Sequence, residues 1–209
     1  MTAPLPADEP PRRRRRVQQR TLARRERLAT VAGELIVERG FGSLSVNELA
    51  ERCGISVGGM YRHIRTKTDV LVMACESIYG GVLEELTAVV DQHRGTEERI
   101  GAAAGVYLAG CRANRRQILM TYREYGRLPQ PARQRYMERE VAIAGLFADL
   151  IAAGIAAGEL RSVEPFVLAY DIVLLGHLPA LKGWALRGRI TEEELTARQL
   201  DLLMSTLRR

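Results

Sequence analysis

Apolar positions along this chain recur at helical spacing, and no run alternates as a half-buried strand would. Leu28, Val31, Ala32, Leu35 and Ile36 form a stripe within a first helix over 21–39, with Arg24, Arg25, Arg27, Glu34, Glu38 and Arg39 mainly off it. Val46, Leu49, Ala50 and Cys53 follow at i, i+3, i+4 and i+7, giving a short helix that ends at Gly54. A second short helix is predicted from Val57 to about Ile64. A long helix over 67–92 carries Val70, Leu71, Ala74, Ile78, Val82, Leu86 and Val89 on one face. This helix is expected to transmit movement rigidly between the two domains, with Gly80-Gly81 as a candidate bend. Beyond it the pattern predicts helices over about 97–113, 115–127, 131–157, 163–186 and 191–207. The expected class is all-α with about nine helices. A helix-turn-helix domain would occupy 20–66, and a larger helical ligand-binding and dimerisation domain 67–209.

The two short helices carry the sharpest local signals. Ser45 is placed to accept from a backbone N–H three residues on, and Glu48 to reach back, which would complete a capping box. Gly54 sits where a left-handed residue ends a helix at least cost, and Ser56 is placed to cap the second helix. Short helix, glycine turn, short helix is the helix-turn-helix, whose second helix enters the major groove. Gly58 and Gly59 lie in the first turn of that second helix, where each costs roughly 1 kcal/mol relative to alanine. A helix that must approach another surface closely has a use for both, because no side chain holds it off. The plainer alternative is a poorly formed helix end or a loop. Tyr61, Arg62, His63, Arg65 and Lys67 follow, with a hydroxyl and cations suited to phosphate oxygens. The expected DNA-binding set is Ser45, Ser56, Gly58, Gly59, Tyr61, Arg62, His63 and Lys67.

Charge sharpens this picture. The net charge is +6, but residues 1–67 hold 14 Lys or Arg against 7 Asp or Glu, and residues 68–209 hold 17 against 18. The basic surplus therefore lies with the helix-turn-helix, as phosphate binding requires, and the remainder is a nearly neutral body. Residues 1–19, with four prolines and the run Arg12 to Arg16, are expected to be a disordered arm. Such an arm is either a solvated tail or a segment that follows the DNA backbone or enters the minor groove.

Residues Leu28 to Leu71 resemble the DNA-binding domain of TetR-family transcriptional regulators. The resemblance runs through Ala32, Gly40-Phe41, Ser45-Val46, Leu49-Ala50 and Cys53-Gly54-Ile55-Ser56, then Gly58 to Ile64, and closes at Lys67. It departs at Gly59, where the family more often has a small residue with a side chain, and at Ile64, where phenylalanine is commoner. The resemblance implies operator binding as a homodimer whose two C-terminal helices pair with their symmetry mates in a four-helix bundle. Residues 176–195, GHLPALKGWALRGRITEEEL, are also loosely similar to regulators of lipid, fatty-acid or steroid breakdown that respond to acyl-CoA-type ligands.

The chemistry-bearing residues point away from catalysis. There is no phosphate-binding glycine loop, nucleophile elbow or paired histidine at i, i+4. The three histidines are too scattered for a metal site, and no cofactor is expected. Cys53, Cys75 and Cys111 are an odd, widely spaced set on predicted helices, read as small buried hydrophobes in a reducing cytoplasm. No secretory signal is visible, and no apolar run is read as long enough to span a bilayer, so no membrane partner is expected. The candidate ligand residues are polar or aromatic groups among aliphatic helices: Met120, Tyr122, Arg123, Phe147, His177 and Trp184. Arg115, Arg116 and Arg127 would supply cations for a CoA's phosphates, and Pro179 would kink its helix by freeing the Leu175 carbonyl. Phe166, Tyr170, Val173, His177, Leu181 and Trp184 on one side of that helix, with Leu195, Leu202 and Leu203, are the expected subunit face. The function these readings favour is a repressor that binds a palindromic operator and is released by a small apolar effector, with an acyl-CoA as the specific guess. The alternative is a constitutive DNA-binding or architectural protein. An enzyme or adaptor that merely carries a basic helical domain is the third reading.

Overall fold

The computed structural model describes residues 11–61 and 64–209, with side chains for these except 11–22 and Arg25. Among the described residues there are ten α-helices and no strand. They are α1 Pro11–Arg39, α2 Val46–Cys53, α3 Val57–Met60, α4 Lys67–Glu76 and α5 Val82–Asp91, then α6 Thr96–Ala113, α7 Arg115–Glu124, α8 Gln130–Ala156, α9 Pro165–Leu186 and α10 Glu192–Leu207. The chain divides into two compact units, Met1–Ser77 and Ile78–Arg209.

In the first unit α4 packs on α1, and α1 on α2. Leu28, Ala29, Ala32, Leu35 and Ile36 of α1 are buried, as are Leu49, Ala50 and Cys53 of α2, and Val70, Leu71 and Ala74 of α4. The helical stripes predicted from spacing are thus the faces that form this core. Gly54 ends α2 with φ at 65°, and two bonds complete the stop: Ile55 N–H to Ala50 O and Gly54 N–H to Glu51 O, both 3.0 Å. Arg52 lies 3.1 Å from Glu38 and 3.5 Å from Glu48, and Arg39 lies 2.9 Å from Glu48, so α1 and α2 are also tied by exposed ion pairs.

Three expectations need correction here. The first helix begins at Pro11, so residues 11–19 of the expected disordered arm belong to α1, and residues 1–10 lie outside the described residues. Arginine is a good helix former, and a proline at the first helical position forfeits no bond, so nothing in 11–20 stops the helix. The long 67–92 helix is two helices separated by a 3-10 turn, Ser77–Tyr79, and by Gly81 at φ 77°. A left-handed residue breaks the backbone ladder, so the single rigid rod does not exist. Lys67–Glu76 consequently belongs to the first unit, through its packing on α1. The capping box at Ser45 is half formed. Its hydroxyl accepts from Glu48 N–H at 3.5 Å, but the Glu48 carboxylate turns to Arg39 and Arg52 instead.

The second unit is built around α9, which packs on α6, α7, α8 and α10. Its core includes Leu86, Ile100, Tyr107, Ile118, Ile143, Phe147, Ile151, Ile172, Val173 and Leu207. Burial of each large apolar side chain contributes about 1.5–3 kcal/mol before the entropy of ordering is set against it. Pro179 lies inside α9 and cannot donate to the Leu175 carbonyl. That carbonyl accepts instead from Gln199 Nε2 of α10 at 2.9 Å. By length and composition alone α9 is apolar enough to cross a membrane, although Asp171 and Lys182 interrupt its apolar run. Its Ala169, Ile172, Val173, Gly176 and His177 are buried within the second unit.

Candidate functional site

The helix expected to read DNA is α3, a single turn that is shorter than the predicted 57–64. The Ser56 hydroxyl accepts from Gly59 N–H at 3.1 Å, satisfying one of the turn's free donors. Met60 is buried beneath it, while Val57, Gly58 and Tyr61 face outward. A Cβ at Gly58 would meet nothing within 4 Å, so the space that glycine leaves is open to an incoming surface. Arg62 and His63 lie outside the described residues. Ser45 is exposed at the start of α2, and Tyr61 is exposed at the end of α3.

Thr66 opens α4 with a complete capping box. The Asp69 carboxylate accepts from the Arg65 and Thr66 N–H groups, each at 2.8 Å, and these bonds hold its carboxyl below the usual range. The box fixes where Lys67 starts. The Lys67 ammonium donates to the Gly42 carbonyl and lies 5.3 Å from the centre of the Phe41 ring. Sequence reasoning did not foresee this tie. The spacing of two residues 25 apart carries no sign that they meet. A lysine ammonium has three donors, so two remain for a phosphate.

The predicted ligand residues separate into two places in the second unit. Arg123 and Trp184 line an open groove of about 740 Å³ with Arg115, Arg116, Pro179 and Leu195. Trp184 is 72% exposed. Arg115 lies 3.4 Å from Glu192 across the groove. Arg127 does not line it and pairs with Glu124 at 2.8 Å. Met120 is buried and does not line it either.

Tyr122, Phe147 and His177 belong to the second place. His177 is fully buried, and burial pushes its imidazole below the ordinary value. Its Nδ1 lies 3.0 Å from the Tyr122 hydroxyl. Its Nε2 lies 3.3 Å from the Tyr107 hydroxyl and 3.4 Å from that of Tyr79. Phe147 packs edge-on to Tyr107 at 6.1 Å between ring centres. Tyr79 donates to Glu140 Oε2 at 2.7 Å, Tyr170 donates to Glu140 Oε1, and the Tyr136 hydroxyl lies 3.2 Å from that of Tyr79. The bond to Glu140 pushes the Tyr170 phenol up to about 12, and burial raises those of Tyr79 and Tyr107 further. Tyr79, Tyr136 and Glu140 were not singled out from the sequence, and Tyr170 was expected on the subunit face. On separate stretches of chain such a tyrosine reads as ordinary core, and only folding gathers them near one histidine.

The expected subunit face is also redrawn. Val173 and His177 point into the core, and Leu203 is only 3% exposed. Phe166, Val167, Leu174 and Leu202 are the exposed large apolar residues of α9 and α10 other than Trp184.

A capped helix-turn-helix in the first unit and a helical body with an arginine-lined groove in the second have the architecture of a DNA-binding transcriptional regulator. Residues 28–73 match the family described as bacterial regulatory proteins, tetR family, and residues 93–207 match the tetracyclin repressor-like C-terminal domain. The chain belongs to the TetR family. Over 181 residues it is 26% identical to the HTH-type transcriptional regulator HbdR of Aromatoleum sp. (strain CIB), covering 87% of this chain and 79% of that protein. It is similar to a transcriptional regulator of the TetR/AcrR family from Thermobifida fusca, with TM-score 0.73, 26% identity, and 90% and 100% of the two chains covered. It also shares the fold of AibR, solved in complex with isovaleryl coenzyme A and operator DNA, with TM-score 0.69, 21% identity, and 87% and 98% coverage.

Proposed function

We propose that this protein is a cytoplasmic repressor that holds a palindromic operator as a homodimer and releases it when a small, largely apolar effector binds the second unit. An acyl-CoA thioester is the specific effector proposed. The observation that carries the reading is the groove, where Arg115, Arg116 and Arg123 lie beside Trp184 and an apolar wall. Guanidinium groups bind phosphate oxygens in pairs, and an exposed indole offers a face for a nucleobase. AibR, which shares the fold, was solved with isovaleryl coenzyme A and operator DNA, and this supports an acyl-CoA as the effector class.

In this reading Ser56, Gly58 and Gly59 bring α3 close to base edges. Tyr61 and Lys67 hold phosphates, and Ser45, Arg62 and His63 complete the contact. The dimer forms through Val167 and Leu174 of α9, seven residues apart on one face, and Leu202 of α10. Two copies of α3 then match operator half-sites about 34–36 Å apart. The effector acts by preferring a conformation in which the two reading helices are wrongly spaced. A coupling of roughly 5- to 150-fold in operator affinity is typical of such regulators.

The test is a titration of the dimer on its selected operator with acyl-CoAs, the matching free acids and CoA itself. Release by thioesters alone is the expected result. Release by free acids alone shifts the effector to a simpler lipid, and no release by any compound overturns the ligand-controlled reading.

A further inference from the structure

The cluster around His177 is larger than a core needs. Tyr79 in the 3-10 turn, Tyr107 on α6, Tyr122 on α7, Tyr136 and Glu140 on α8, and Tyr170 and His177 on α9 come from five elements. Tyr79, Tyr107 and His177 are buried, whereas Tyr122 is 43% exposed.

The distances restrict where the protons lie. Glu140 accepts from Tyr79 and Tyr170, so the Tyr79 proton points to the carboxylate and its oxygen is left to accept. A neutral imidazole has one donor and one acceptor. The Nε2 side faces the Tyr79 and Tyr107 oxygens, and the Nδ1 side faces one half-exposed hydroxyl. Two arrangements meet these distances: Tyr107 donating to Nε2 with Nδ1–H donating to Tyr122, or Tyr122 donating to Nδ1 with Nε2–H donating toward Tyr107 and Tyr79. In the second, which the relay requires, every proton points inward and ends, through Tyr79, at the Glu140 carboxylate.

We propose that Tyr122, His177, Tyr79 and Glu140 form a hydrogen-bond relay: Tyr122 recognises a hydrogen-bond acceptor on the effector, such as a carbonyl, and Tyr79 reports its arrival. The proposal rests on the ligand-controlled reading above. Tyr122 does not itself line the groove, but it precedes groove-lining Arg123 on α7, and it is the member of the series most open to solvent. An acceptor that captures its proton leaves Nδ1 of a fully buried ring without a donor, and a buried polar atom without a partner is strongly disfavoured. The ring must re-pair, and its other nitrogen faces Tyr79. Tyr79 closes the turn that follows Ser77, the last residue of the first unit, and it precedes Gly80 and the left-handed Gly81. A change at this hydroxyl therefore falls on the few residues that join the DNA-reading unit to the rest of the chain.

The experiment uses the full-length dimer and the acyl-CoA that releases the wild-type protein most strongly. Calorimetry gives effector affinity, and operator affinity with and without effector gives the coupling. Tyr122→Phe should weaken the effector by about tenfold, one charge-neutral hydrogen bond's worth at 1.4 kcal/mol per decade. Tyr79→Phe and Glu140→Gln should keep effector affinity within about threefold while the coupling falls below about twofold. A purely structural cluster would lower the melting temperature and leave the coupling intact. Nitrogen NMR of labelled histidine in the effector-free dimer should show His177 as the neutral Nε2–H tautomer, and a ring protonated on Nδ1 at neutral pH overturns the relay. Wild-type release with undiminished coupling in both inner variants overturns the relay alone. No release of wild type by any acyl-CoA or free acid overturns the ligand-controlled reading, and the relay with it.

Discussion

Removing the amide of Gln199 tests how the second unit tolerates a proline in its central helix. Pro179 leaves the Leu175 carbonyl without its i+4 donor, and the buried Gln199 Nε2 supplies one at 2.9 Å. Gln199→Met keeps the chain length and deletes the donor. A neutral hydrogen bond is worth about 0.5–1.5 kcal/mol net, and a buried acceptor left bare costs about 1–3 kcal/mol, so the expected loss is about 1–3 kcal/mol. In a Pro179→Ala background the residue 179 N–H can reach the same carbonyl, and the same change should cost about 0.5 kcal/mol or less. The predicted coupling energy is therefore about 1–2 kcal/mol, above the scatter of independent sites. Urea unfolding of the four proteins, followed by circular dichroism at one protein concentration, measures it. Equal losses in both backgrounds would refute the claim that Gln199 serves the carbonyl freed by the proline.

Three further outcomes follow from the same geometry. Lys67→Ala should weaken operator and random DNA alike and lower the salt slope by about one unit, and an unchanged slope would mean that Lys67 stays on the Gly42 carbonyl. Leu202, 62% exposed, is the residue to charge in order to test the dimer: Leu202→Glu should yield a monomer by sedimentation and lose operator binding, whereas a charge at the buried Leu203 would unfold the subunit. The depressed His177 pKa makes the unfolded chain take up its proton first as pH falls below about 6.5. Native stability should therefore drop with falling pH from there until the folded ring titrates, by at most about 1.4 kcal/mol per pH unit, and His177→Gln should flatten the unfolding midpoint between pH 7 and pH 5.

Much of this protein is legible in one dimension because helices and their caps are local. The stripes of α1 and α2, the stop at Gly54, and the Ser56 and Thr66 caps depend on residues three or four apart, and the structure has each of them. Family membership was readable for the same reason, since its signature is a spacing held over about forty residues. What tertiary structure decided is pairing between distant positions. Spacing cannot tell that Leu202 faces out while Leu203 faces in, because a helix hydrophobic on several sides leaves its rotation to its neighbours. Two adjacent glycines offered a bend, but the left-handed turn at Gly81 that splits the long helix was settled by what each half packs against. Gln199 meeting Leu175, Lys67 meeting Gly42, and three tyrosines meeting His177 are contacts between residues 24 to 98 apart. Hydrogen bonds at that range leave no periodic trace, because each partner alone is an ordinary residue for its own helix.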